Sequence, residues 1–163
     1  MSNQKKADEH ADLPVPALVE HRSCDFLHDR MIIKINVTMP ASPEAISSTV
    51  DRIMEKVREN ECAAGKEFEI EIALREALAN AIKHGCKGDP SKQVQCCIAC
   101  EEGGGMLIIV RDPGQGFDPL AIPDCTMGEN LYENHGRGIY LINELMDEVE
   151  FKRNGTEIHM RKY

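Results

Sequence analysis

The sequence predicts an α/β (α+β) fold in which a mainly antiparallel sheet packs against helices. Three observations carry that expectation. Two strand-like pairs are each joined by a short glycine-bearing link, at residues 102–105 and 154–155, and links of that kind make antiparallel hairpins. Residues 43–60 and 66–84 repeat apolar side chains at three- and four-residue spacing, the period of a helix with one buried face. A chain of 163 residues with ordinary apolar and charged fractions suits one domain with a single sizeable core.

Taken in order, residues 1–30 are polar, carry Pro14 and Pro16 and show no sustained period, as expected of an arm or irregular extension. Residues 31–40 read as the first strand, closed by Pro40. Ser42 then offers an N-cap, with Pro43 at the first helical position. The helix continues through Ile46, Val50, Ile53, Met54 and Val57. A second helix over residues 66–84 should stop at Gly85, a natural residue just past a helix end. Residues 86–91 are loop, 92–101 and 106–112 are strands, and the second of these is continuously apolar, which places it centrally in its sheet. Residues 118–135 read as a long loop with Pro119, Pro123 and Gly128, a length more typical of a functional lid or a disordered segment than of a mere connection. A helix opens near residue 139, and the chain closes on strands 148–153 and 156–160.

Composition narrows the function. Aromatics make up only 4% and Trp is absent, so the core must rest on Ile, Leu, Val, Met and Ala. A formal net charge of −9 disfavours a nucleic-acid partner, which needs a basic surface. No apolar run approaches the roughly 20 residues that span a membrane. Residues 1–6 lack a signal peptide's apolar segment, so a cytoplasmic location is expected. The seven cysteines are an odd number without an export signal, which points to packed, reduced thiols rather than a disulfide framework. Cys97 and Cys100 have a zinc-knuckle gap, but on a strand they face opposite sides and would not converge on one ion.

Three stretches carry candidate chemistry. Glu76, Asn80 and His84 stand four apart, one polar stripe on a helix face. The acid could take a proton while the amide oxygen ligands a hard cation; taken alone, the stripe reads rather as the solvated face of an amphipathic helix. Asp112 ends the central strand and is followed by Gly114 and Gly116, where a missing Cβ would let a flat ring approach an acid able to accept from an exocyclic amine. Gly136, Arg137 and Gly138 open the last helix, where free N–H groups and a guanidinium suit phosphates.

In this order the three stretches resemble the N box, the D-x-G-x-G box and the second glycine box of the GHKL (Bergerat-fold) ATP-binding family, which includes histidine kinases and type II topoisomerases. Residues 80–85, 129–131, 136–139, 145–149 and 155–156 are more narrowly similar to its anti-sigma-factor serine/threonine kinases. The resemblance covers residues 31–163 as an ATP-binding kinase domain and leaves residues 1–30 as an extension. It implies a two-layer sandwich, a mixed, mainly antiparallel sheet covered on one face by helices. It further implies that Asn80 holds Mg²⁺ against ATP. Asp112 would bind the adenine amino group with support from Thr156, and Gly114 and Gly116 would admit the ring. Gly136, Arg137 and Gly138 would contact phosphates, with His84 in the same nucleotide site, as the 118–135 loop closes. Glu76 would be the catalytic base.

The function so implied is an ATP-dependent serine/threonine kinase that phosphorylates a STAS-type antagonist and sequesters a sigma factor, working as a homodimer. A sensor histidine kinase fragment is disfavoured, because the proline-broken residues before the first strand cannot supply a phosphoaccepting helical hairpin. A nucleotide-dependent binding module without kinase activity is the alternative, disfavoured by Glu76.

Overall fold

The structure, a computed structural model, describes residues 31–121 and 136–163. The expectations for residues 1–30, and for 129–131 and most of the 118–135 loop, lie outside the described residues. The described chain runs β1 (Met31–Pro40), α1 (Glu44–Glu59), α2 (Glu67–Asn80), β2 (Gln93–Glu101), β3 (Met106–Arg111), α3 (Arg137–Leu145), β4 (Glu148–Lys152) and β5 (Glu157–Lys162). The five strands form one sheet in the order β1-β2-β3-β5-β4, and every pairing among them is antiparallel. β3 is central, as its unbroken apolar run requires.

The helices form the second layer. Val50, Ile53, Met54 and Val57 of α1, Ile70, Leu74 and Leu78 of α2, and Ile142 of α3 share one core with Ile98, Ile108 and Met160 of the sheet. α2 lies against both α1 and α3. Its buried Ala73 and Ala77 are small residues on that packed face. The two-layer α+β sandwich is therefore as expected. Among the described residues no helix is long and apolar enough to cross a membrane.

Four local expectations change. Ser42 does not cap α1 through its side chain; its hydroxyl instead donates to Glu44 Oε2 at 2.6 Å. α2 does not stay α-helical to residue 84: after Asn80 it widens into a π turn, Ala81–Gly85, with Cys86 N–H donating five residues back to Ala81 O at 2.8 Å. The left-handed backbone that ends this helix falls on Lys87 and Gly88, not on Gly85. Gly85 is small for another reason, because a Cβ there would overlap the Asp112 carboxylate. Finally, the thiols are not all reduced. Cys62, in the α1–α2 connection, is bonded to Cys100 at the end of β2, while Cys86 and Cys96 are buried free thiols. A separation of 38 residues hides that pairing from local spacing. Cys97 and Cys100 do face opposite sides of the sheet.

The β4–β5 connection is wider than a two-residue turn. Lys152 pairs with Glu157, and Arg153, Asn154 and Gly155 all take positive φ. Glu157 anchors this tip from below, 5% exposed. Arg111 Nε donates to it at 2.6 Å and Arg153 Nε lies 3.1 Å away, with His159 Nε2 at 2.6 Å. Burial pushes this carboxyl upward, but hydrogen bonds from His159 and Arg111 and the Arg111 charge outweigh it and hold it below the usual value. A depressed carboxyl stabilises the fold above the ordinary glutamate pKa and ceases to do so as pH falls through its own lower value. Glu157→Gln should therefore cost about 2 kcal/mol at pH 7. In urea melts the gap from the wild type should narrow as the pH is taken down through the acid range.

Candidate functional site

A cavity of about 330 Å³ opens between the π turn, the end of β3, the β4–β5 tip and the start of α3. That size lies within the range of small-molecule sites. Ala77, Ala81, Val110, Phe151 and Ile158 give it an apolar floor and sides, and Asn80, His84, Asp112 and Thr156 supply polar groups.

Asp112 is placed by the end of β3. Its N–H donates to Thr156 O at 3.0 Å, so the last sheet bond fixes the residue just where the strand ends. Gly114 N–H donates to Asp112 Oδ1 at 2.8 Å, which orients the carboxylate. Burial nevertheless raises its pKa above the usual aspartate value, against the opposing effects of the Gly114 N–H and Lys92. A half-buried acid with a free oxygen beside an apolar cleft is suited to accept a hydrogen bond from a flat, neutral, amine-bearing ring.

The glycines build close approaches. A Cβ on Gly114 would lie 2.5 Å from Gly85 O, so the loop after β3 rests directly on the π turn. Gly116 has φ +81° and sits against the Asn154 carbonyl. Phe117 N–H donates to that same carbonyl at 2.9 Å, and Asn154 Nδ2 donates to Gln115 O at 3.3 Å. The hairpin tip thus clamps the glycine segment, and Phe117 meets Phe151 edge-on with ring centres 5.4 Å apart. Sequence reasoning read Asn154 only as a turn former; its second task depends on a partner nearly 40 residues away and left no local signal. Thr156 lines the cavity, while its hydroxyl donates to Arg153 O at 2.8 Å.

At the far end of the cavity, α3 starts at Arg137 with Gly136 before it, and its N-terminus comes down on α2. A Cβ on Gly138 would lie 2.7 Å from Glu76 Oε2 and 3.1 Å from Asn80 Nδ2. The acid and the amide therefore meet the end of α3 that carries free N–H groups and a partial positive charge. The structure brings Asn80, His84, Asp112, Gly116, Gly138 and Thr156 onto the cavity wall. Gly114 lies behind Asp112 and Glu76 behind Gly138. Gly136 is buried and Arg137 is exposed at the start of α3. The π turn takes His84 out of a strict α-helical stripe with Glu76 and Asn80, yet leaves it on the wall.

The pocket is thus bounded by an acid at a strand end, a glycine clamp and a glycine-opened helix. The chain belongs to the family described as histidine kinase-like ATPase domain, whose model matches residues 39–162. Among individual proteins it is similar to Anti-sigma F factor of Bacillus cytotoxicus, 39% identical over 101 residues, which cover 58% of this chain and 68% of that protein. Anti-sigma F factors of Bacillus thuringiensis and Bacillus anthracis are each 38% identical over the same length and with the same coverage.

Proposed function

We propose that this chain is an ATP-dependent serine/threonine kinase that acts as an anti-sigma factor or partner-switching regulator and phosphorylates a STAS-type antagonist. The observation that carries the reading is the meeting of Glu76, Asn80 and Gly138 at the N-terminus of α3. It puts an acid beside the place where phosphates would bind, and the family and the name borne by its relatives support the rest. In the same reading residues 31–163 are the kinase domain and residues 1–30 an extension. The partners are the antagonist, a sigma factor and a second copy of the chain, and the location is cytoplasmic.

Asp112 accepts from the adenine amino group, backed by Thr156, and the Gly114–Gly116 segment leaves room for the ring. Gly136, Arg137 and Gly138 hold the phosphates, and His84 contributes to the wall beside Asn80. Among the described residues no three His, Cys, Asp or Glu side chains converge to hold a metal by themselves. Asn80 would accordingly hold Mg²⁺ together with phosphate oxygens, the usual manner for that ion. Bound ATP supplies the phosphoryl group, and Glu76 takes the proton from the attacking hydroxyl. Phosphoryl transfer asks a protein mainly for positioning and charge neutralisation, which this set is suited to give.

Asp112→Asn tests the nucleotide half of the proposal. It keeps the oxygen that Gly114 bonds but puts an amide where the ring needs an acceptor, so calorimetry should show ATP–Mg²⁺ binding weakened about 100-fold. Because the raised pKa means that the ionised acid is unfavourable in the fold, the same change should raise the melting temperature of the ligand-free protein slightly at neutral pH. Unchanged ATP affinity would remove Asp112 from the site.

A further inference from the structure

Behind the Asp112 end of the cavity, on the opposite face of the sheet, lies a charged cluster that the site itself does not use. Among the described residues Glu157 is the only acid that the fold buries. Its Oε2 accepts from Arg111 Nε at 2.6 Å and lies 3.1 Å from Arg153 Nε, and its Oε1 meets His159 Nε2 at 2.6 Å. None of these four residues lines the cavity. Burying a carboxylate is costly even when it is paired, and the best-attested use of such a charge is to fix one arrangement of the chain.

Strand alternation shows which arrangement. Neighbouring residues on a strand point to opposite faces of the sheet. Arg111 pairs with Glu157 across β3 and β5. The residues beside them, Asp112 and Thr156, line the cavity and are joined by the Asp112 N–H bond to Thr156 O. The Arg111–Glu157 pair therefore clips the two strands together at the step that presents the acid and its threonine. The other arm reaches the hairpin tip. Arg153 and Asn154 hold left-handed backbone, φ 51° and 58°, a conformation that needs outside support in residues bearing a Cβ. Arg153 is held by Glu157 through its guanidinium and by the Thr156 hydroxyl through its carbonyl. Asn154 follows directly, and its carbonyl sits against Gly116 and accepts from Phe117 N–H. One carboxylate thus ties the strand step to the tip, while Glu76, Asn80 and Gly138 gather at the other end of the cavity.

We propose that Glu157 is a positioning residue for the ring of the nucleotide, setting from outside the cavity the spacing between Asp112, Thr156 and the Asn154 clamp. The role rests on ATP binding in this cavity, as proposed for the chain. It makes nucleotide affinity depend on a charge that the nucleotide never touches.

Amide hydrogen exchange in the ligand-free, full-length chain and ATP–Mg²⁺ calorimetry test the role together, in wild type, Glu157→Gln and Arg153→Gln. The reference amide is Glu101, which donates to Gly105 O at the opposite end of the sheet. In Glu157→Gln the Phe117 amide should exchange about tenfold faster relative to Glu101, and ATP should bind about tenfold more weakly, as for residues coupled through one network. Arg153 has a side chain 67% exposed. Arg153→Gln should therefore keep its melting temperature within about 2 °C and still weaken ATP about threefold, an effect that a purely structural Glu157 would not produce. Phe117 and Glu101 amides quickening alike overturns the proposal, as does unchanged ATP affinity in either variant beside a wild type that binds. A wild type that binds no ATP overturns the nucleotide reading itself and, with it, the role of Glu157, whatever the exchange rates.

Discussion

Glu76→Gln should bind ATP–Mg²⁺ within about twofold of the wild type and transfer phosphate about 10²- to 10⁴-fold more slowly, the range a positioned base contributes. The glutamine fills the same space against Gly138, so the approach of α3 to α2 is preserved. What is lost is the ability to take a proton. Single-turnover transfer, followed beside calorimetry, separates the two effects. If binding and transfer fall together, Glu76 serves to seat α3 and the base must be sought elsewhere. If neither falls, the closeness of the carboxylate to the helix N-terminus has no part in the chemistry.

Gly116→Ala should be the most damaging small substitution in the described chain. The residue has φ +81°, and a Cβ would overlap the carbonyl oxygen of Asn154. Because that neighbour is backbone, the hairpin tip must move, taking with it the Phe117 N–H bond to Asn154. We expect a loss of about 3 kcal/mol, combining the left-handed penalty with overpacking, and a melting temperature about 6–12 °C lower. ATP binding should weaken too, since the clamp shapes the cavity. Gly65→Ala is the control: its φ is +84° but nothing lies within 4 Å of the added Cβ. It should cost only about 1 kcal/mol. Equal losses in the two variants would mean that the backbone angle, not the clamp, sets the requirement.

These residues also show what a sequence can and cannot disclose. Helix and strand periods placed the five strands and three α-helices to within a few residues, because each has one face on a common core. Asp112 and Gly138 could be picked out because acid-then-glycine and glycine-then-helix are local patterns with local reasons. Long-range contacts were invisible. Gly85 looks like a helix stop, yet its size is set by Asp112, and Asn154 looks like a turn former, yet its carbonyl holds Phe117. The π turn escaped because a repeat of four cannot reveal a hydrogen bond that spans five. Cys62 and Cys100 meet only because the α1–α2 connection is folded back onto the end of β2.

The proposed activity is phosphoryl transfer from ATP to a serine or threonine of a STAS-type partner. The most direct test is transfer of radiolabelled γ-phosphate to purified candidate STAS proteins, with wild-type chain and Glu76→Gln side by side. Acid-stable label on a serine or threonine of the partner is expected with the wild type, and almost none with Glu76→Gln although it binds ATP. A wild-type chain that binds ATP with Asp112 and releases its phosphate only to water, leaving every such partner unlabelled, would not be a kinase of these partners but a nucleotide-dependent binding module.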